Sequence, residues 1–314
     1  MRVLAIGLAP THFMITVPQL WALRVRGHEV LAAGQPDVLA VAEMAGLSTA
    51  RAGRESPELE GRTRAAAIGT DKPGLHGGRW NPVWEQVALR WLGRIDAVLD
   101  DCLALARDWR PDMIICDPID YASFLLGGLL GIPTVTHRWG PDTLMTEARE
   151  HARRLLHDRA VGLGLPDGLP EPDLMIDSCP PALQHPDAQP ATPVRYVPFN
   201  PPGEIPAWAL TEPPARRVLI SFGMRSLALG GRLSTIRDIV RALDGIPGIE
   251  AIVTAPAEFH GEFTGAPSSV RLVRPVPLDT FIGTCAAVVH HGGAGTAQTA
   301  VCLLYTSLMA RGRR

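Results

Sequence analysis

Lysine is almost absent from this sequence. Of 30 basic residues only Lys72 is a lysine, which we read as a bias of coding rather than a functional signal. Paired cysteines are absent too. Cys102, Cys116, Cys179, Cys285 and Cys302 are scattered and odd in number, with no C-x-x-C spacing. Neither a zinc site nor a disulfide framework follows from them, and a reducing, cytoplasmic setting fits best. Net charge is close to balance at −2, and no basic stripe stands out. The electrostatic case for nucleic acid is therefore missing. No apolar run approaches the ~20 residues that a membrane-spanning helix needs. The opening "MRVLAIGLAPTHF" is too short in its apolar run for a secretory leader, lacks a cleavage site and flows into an amphipathic segment, so a first buried strand is expected there.

What is present suits a packed two-domain protein. Hydrophobic residues make up 46% of 314 and charged residues 20%, enough for two domains of ~100–200 residues each. Short apolar runs alternate with helical periods, the pattern of βαβ units on a parallel sheet. Strands are expected at 2–8, 28–34, 111–117, 132–139, 173–179 and 194–199. Helices are expected at 14–26 (Met14, Val17, Leu20, Trp21 and Leu23 apolar, Gly27 closing it), 84–109, 121–131 (closed by Gly131) and 142–161. In the helix 84–109, Trp91, Ile95, Val98, Leu99 and Cys102 share one face. Residues 51–83 are polar, rich in Gly and Pro and without a period, as functional loops often are. The stretch 200–215 holds five prolines and marks a domain boundary. The pattern then restarts: strands at 216–223, 250–256, 270–277 and 286–291, helices at 230–244 and 278–285.

The run "VVHHGGAGTAQTA" reads as strand, turn and helix start. Gly292, Gly293 and Gly295 permit positive φ and a close backbone approach to a ligand. The first N–H groups of the helix and its dipole favour an anion, and Thr296 can cap the helix or bond a phosphate oxygen. A plain strand–helix turn has the same composition. Two phosphate motifs are excluded: there is no G-K-[ST] ending for a P-loop, and Gln298 stands where a dinucleotide fingerprint wants its last glycine. That fingerprint also wants a later acidic residue, and none follows Asp279. His291, at the strand end, can donate to a diphosphate oxygen. His290 points to the opposite strand face and is expected to be a satisfied structural histidine.

At the other end of the chain His12 lies in a loop at the carboxyl end of the first strand, the rim where open α/β sheets place ligands. Asp117 ends another strand on the same rim. If the two strands are neighbours, a carboxylate on one ring nitrogen fixes the tautomer and leaves the other as a general base for a bound hydroxyl. Asp120 is a rival partner, better read as a helix cap.

Together "H-x5-P-x8-GHEV" (His12, Pro18, Gly27, His28), "RPDMIICD", "RYVPFNPPGEIPAW", "VLISFG" and "VPLDTFIGTCAAVVHHGGAGT" resemble the actinobacterial natural-product glycosyltransferases of the nucleotide-sugar-dependent GT-B superfamily. The resemblance runs from residue 1 to about 302, and it is most specific in the "HHGGAGT" and "YVPFN…PAW" segments. It implies an α/β fold of two Rossmann-like domains facing each other across a cleft: an acceptor domain over 1–200, a proline-rich linker over 201–215 and a partial nucleotide-sugar domain over 216–302. It implies inverting, metal-independent transfer of a sugar from a dTDP- or UDP-sugar to a hydrophobic acceptor such as a macrolide aglycone, with no cofactor beyond the sugar donor. His12 matches the family's base and Asp117 its partner. His291, Gly292, Gly293, Gly295 and Thr296 match its diphosphate loop, with Ser221 and Gly223 as a second phosphate-side contact. Trp80 and Trp84 fall where relatives shape the acceptor site, and some relatives need an auxiliary activator protein.

Two departures stand against that pattern. Pro275 occupies the place of an aromatic residue that stacks the nucleobase in relatives. After Cys302, "LLYTSLMARGRR" does not match the family's Gly-Val-Pro turn and Asp-Gln pair, so 303–314 reads as an aberrant tail. On that reading the chain is a C-terminally truncated, poorly stable and inactive or nearly inactive fragment. A nucleotide-sugar epimerase or hydrolase of the same form, and a non-enzymatic aglycone-binding helper, are the alternatives.

Overall fold

A computed structural model describes residues 1–53, 83–142, 145–200, 202–223, 227, 233–304 and 308–309. Trp80 and the side chain of Trp84 lie outside the described residues. The chain divides into two compact units, Met1–Arg195 and Tyr196–Arg314.

The first unit is built on β1 (Arg2–Ile6), α1 (Pro10–Val25), β2 (Glu29–Gly34), α2 (Pro36–Met44), β3 (Ser48–Arg51), α3 (Val83–Trp109), β4 (Met113–Cys116), α4 (Tyr121–Leu130), β5 (Thr134–Arg138), α5 (Met145–Leu155), α6 (His157–Leu163), β6 (Leu174–Asp177) and β7 (Thr192–Pro193). All pairings are parallel, in the order β3-β2-β1-β4-β5-β6-β7. The order reverses between β1 and β4, so the loops leaving those two strands open a crevice at the carboxyl edge. Trp91, Ile95, Val98, Leu99 and Cys102 of α3 are buried as their spacing predicts, against Leu4, Ile6 and Ile114 of the sheet. Phe13, Val17 and Leu20 of α1 are buried as well.

The second unit comprises β8 (Arg216–Ser221), α7 (Leu233–Leu243), β9 (Ile249–Thr254), β10 (Val270–Val273), β11 (Cys285–His290), α8 (Ala294–Leu303) and the short β12 (Leu308–Met309). Its parallel sheet runs β10-β9-β8-β11-β12 and reverses between β8 and β11. Of the proline-rich stretch, Trp208 and Ala209 pack in this unit's core, Trp208 edge-on to Phe281 at 5.1 Å.

Several elements differ from expectation. α1 begins at Pro10, four residues early, because proline at the first helical position has its φ preset and no N–H to leave unsatisfied. His12 is therefore in the first helical turn rather than in a loop. Trp21 is not core: it is 38% exposed, and its indole N–H donates to the Ala45 carbonyl. The helix expected over 142–161 breaks at Leu156 into α5 and α6. Residues 194–199 form no strand, since Pro193 and Pro198 cannot donate to a ladder, and pairing stops at Pro193. Pro275 and Pro277 likewise end β10 at Val273, and 278–285 is two 3-10 turns instead of a helix. α2 and β3 were not expected at all.

Candidate active site

In the first unit β1 and β4 are hydrogen-bonded neighbours, with Ile6 beside Cys116. The chain leaving β1 turns into α1 and presents His12. The chain leaving β4 presents Asp117. The two meet: His12 Nδ1 lies 2.5 Å from Asp117 Oδ2, and the Ile119 N–H donates to Asp117 Oδ1 at 2.9 Å. Asp117 is buried, its side chain 3% exposed, while His12 keeps 25% of its side chain accessible. A carboxylate only accepts, so this contact puts the ring proton on Nδ1 and leaves Nε2 as the basic nitrogen. Sequence reasoning missed Trp139, just beyond β5, whose ring stacks on His12 at 4.6 Å with 24° between planes. Between them, Asp117 and Trp139 fix the imidazole in direction and in plane.

Asp120 is not the partner of His12. It stands at the N-cap position of α4, but its carboxylate accepts from the Ser123 hydroxyl at 2.9 Å and pairs with Arg94 at 3.5 Å. Burial pushes the Asp120 carboxyl up, against the pull of Arg94 and Ser123. Arg94, reaching from α3, also donates to the Gly7 carbonyl at 2.6 Å and to Gln35 at 2.8 Å. One guanidinium thus ties the loop after β1 to the loop after β4. Arg94 shares the buried side of α3 with Trp91, Ile95 and Val98, but its partners arrive from distant loops and no local signal in the sequence names them.

In the second unit the corresponding pair of loops follows β8 and β11, with Ser221 in register with His290. Gly223 and Gly293 flank the His291 ring. A Cβ on Gly223 would stand 2.8 Å from the ring, and one on Gly293 would stand 2.7 Å from it. Phe222 lies 6.2 Å away, centroid to centroid. Of the three loop glycines only Gly292 has positive φ, at +93°, so the need for Gly293 is room for a ring rather than backbone freedom. Gly293 holds the N-cap position of α8, and Gly295 and Thr296 lie in its first turn. Thr296 is therefore not the cap. Tyr196, another residue that sequence reasoning missed, steadies that turn through its hydroxyl, which donates to the Gly295 carbonyl at 3.4 Å and lies 3.1 Å from the Thr299 hydroxyl.

His290 is fully buried, and its Nδ1 accepts the Gly292 N–H at 3.2 Å. Burial first, then neighbouring His291, push its pKa down, so it is a neutral structural residue. Ser221 is buried and accepts from the Thr254 hydroxyl at 3.0 Å. All five cysteines are free. Among the described residues no cluster of three or more His, Cys, Asp or Glu side chains could hold a metal ion, and no helix is long and apolar enough to cross a membrane.

Known proteins match this chain over nearly its whole length. Residues 21–223 match the N-terminal domain, and residues 236–304 the C-terminal domain, of erythromycin biosynthesis protein CIII-like proteins. The 10-deoxymethynolide desosaminyltransferase of Streptomyces venezuelae is 31% identical over 96% of this chain and 78% of its own length. The aklavinone 7-beta-L-rhodosaminyltransferase of Streptomyces galilaeus is 30% identical over 96% and 77%. Among solved structures, the spinosyn rhamnosyltransferase SpnG in complex with thymidine diphosphate superposes with a TM-score of 0.81 and 38% identity, covering 98% of this chain and 80% of that one. The same enzyme is also known in complex with spinosyn aglycone. The two reversing parallel sheets and these matches agree, and the chain belongs to the erythromycin biosynthesis protein CIII-like family of glycosyltransferases, with the GT-B fold.

Proposed function

We propose that this protein moves a sugar from a dTDP- or UDP-sugar to a hydroxyl of a hydrophobic natural-product acceptor, by one inverting displacement and with neither metal nor cofactor. The His12–Asp117 contact of 2.5 Å carries the reading. His12 Nε2 takes the proton of the acceptor hydroxyl as its oxygen attacks the anomeric carbon. The bond from that carbon to the diphosphate oxygen breaks on the opposite face, and its electron pair leaves with the diphosphate. Asp117 stabilises the imidazolium that forms, and Trp139 keeps its ring in plane.

The leaving diphosphate gains negative charge as the bond breaks. The first N–H groups of α8, with His291, Gly292, Gly293, Gly295, Thr296, Ser221 and Gly223 around them, meet that charge with oriented dipoles rather than a lysine or an ion. The thymidine diphosphate and aglycone complexes of the SpnG relative support both halves of the reading.

The test is turnover of a dTDP-sugar with a macrolide or polyketide aglycone, alongside calorimetry with thymidine diphosphate. His12→Ala is expected to lower turnover by about 10²–10⁴-fold, the usual worth of a general base, and to leave diphosphate binding unchanged. His291→Ala is expected to weaken diphosphate binding. The anomeric configuration of the product reports inversion, and turnover in excess chelator reports metal independence. Full activity of His12→Ala would refute the base. Donor consumption without an acceptor would point instead to a hydrolase or epimerase.

A further inference from the structure

Behind the His12–Asp117 pair lies a cavity of about 10 Å³, whose lining includes His12, Thr16, Asp117 and His137. Thr16 is one turn after His12 on α1, and His137 is on β5, the strand beside β4. His137 is 1% exposed. Its Nδ1 lies 3.3 Å from the Thr16 hydroxyl, while its Nε2 has no partner among the described residues. A buried imidazole nitrogen without a partner is costly, and the base machinery described so far leaves His137 unused. With Thr16 donating to Nδ1, the ring proton is on Nε2. Asp117 has acceptor capacity to spare: each of its oxygens takes one hydrogen bond, from His12 and from Ile119, and a carboxylate can accept about four. The cavity is just large enough for one water, and although Ile6, Leu8 and Phe13 make part of its wall, His12, Thr16, Asp117 and His137 bring to it the two or more polar partners that a buried water needs.

We propose that one buried water occupies this cavity, accepts from His137 Nε2 and donates to the Asp117 carboxylate, which makes His137 a positioning residue for the His12–Asp117 pair. Thr16 sets the His137 tautomer, His137 orients the water, and the water holds the carboxylate against the pull of His12. A direct ion pair does not compete with this arrangement. Burial pushes the His137 imidazole down to about 4, so it stays neutral at neutral pH even with Asp177 and Asp117 nearby. The inference deepens the reading of His12 as base and rests on it for its kinetic consequence.

Two variants separate the relay from packing. Leucine at 137 keeps the volume and removes the donor, whereas glutamine puts an amide N–H near the position of Nε2. His137→Leu is expected to lower kcat about tenfold with the donor KM unchanged, and His137→Gln to stay within about twofold of wild type, in keeping with the loss or retention of one hydrogen bond to a charged group. In a background of Asp117→Asn, His137→Leu is expected to add nothing, since its effect runs through Asp117. A high-resolution crystal structure of the wild-type protein is expected to show a water within hydrogen-bond distance of His137 Nε2 and Asp117. A dry cavity, a water that misses either group, or equal kcat for the Leu and Gln variants would overturn the proposal. Wild-type turnover by His12→Ala would instead remove the base assignment and leave the water bridge standing.

Discussion

Acidification should loosen the first unit through His137. The ring is buried on β5, and burial lowers its pKa from the ordinary 6.5 to about 4. The carboxylates of Asp177 and Asp117 pull the other way and limit the drop. Between those two pH values the unfolded chain binds a proton that the native unit refuses, so stability rises with pH across this window and is lost as pH falls from 6.5 towards 4. A tenfold difference in proton affinity between the two states is worth about 1.4 kcal/mol, so about 2 kcal/mol disappears by pH 5 and ~3 kcal/mol by pH 4. Leucine at 137 has no proton to take up. Hydrogen exchange of peptides covering β4 and β5, corrected for intrinsic rates, reads the local opening free energy at pH 7.5 and pH 5. Wild type is expected to lose about 30-fold more protection than His137→Leu between the two conditions, the equivalent of ~2 kcal/mol. His151 and His290, whose pKa values are also lowered by burial, are present in both proteins and cancel in the difference. Equal losses would show that His137 is protonated in the native unit, and the argument from burial would fail.

Three further outcomes follow from other contacts. Asp117→Asn offers an amide N–H or a weaker acceptor to His12 Nδ1 at 2.5 Å; turnover should fall by about 10²–10⁴-fold, with thymidine diphosphate affinity by calorimetry unmoved. Gly293→Ala is a purely steric probe, because φ at Gly293 is −59° and only the 2.7 Å approach of a Cβ to the His291 ring opposes alanine; diphosphate affinity should weaken by about tenfold, and unchanged affinity would remove His291 from the anion site. Arg94→Met strips the guanidinium from buried Asp120 and from the Gly7 carbonyl; urea unfolding should show a loss of about 3–5 kcal/mol, as for other broken buried pairs, partly restored when Asp120→Asn removes the stranded charge.

The outline of both sheets was legible because buried parallel strands are short apolar runs, and "RVLAIGL", "PDMIICD" and "AAVVHH" are runs of that kind. The apolar face of α3 was legible from its period. What misled was mostly proline. Its effect depends on position: Pro10 starts α1 early, whereas Pro193 and Pro275 end strands that their apolar neighbours alone would continue. α2 and β3 escaped because they are short, nine and four residues, and too brief to establish a period. In the site, His12 and Asp117 could be paired from sequence since both follow strands that β-order makes neighbours. Trp139, His137, Arg94 and Tyr196 could not. Each acts through a side chain arriving from a distant element, and nothing local distinguishes such a residue from a core aromatic or a surface arginine.

The two units, of seven and five strands, share one order about their reversing strands and differ in what those strands carry. In each, two neighbouring central strands, β1 with β4 and β8 with β11, send their loops to the same edge. In the first unit those loops bring a histidine onto a buried carboxylate, an arrangement that moves a proton. In the second they bring a histidine between two glycines at a helix start, an arrangement that receives negative charge. The absence of lysine from the second pair of loops is then chemically consistent with the proposed reaction. Phosphoryl transfer must stabilise charge on the oxygens of the phosphoryl group that is attacked, and its sites employ Lys or Mg²⁺ against the β- and γ-phosphates. When the anomeric carbon is attacked instead, the diphosphate only has to leave, and N–H dipoles at a helix N-terminus suffice. A substitution that places lysine in this turn, such as Gly295→Lys, should therefore tighten diphosphate binding in calorimetry without raising kcat, because it holds the diphosphate of the bound donor as well as that of the transition state. A matching rise in kcat would mean that charge on the diphosphate limits the reaction, and that the dipoles of α8 do not meet it alone.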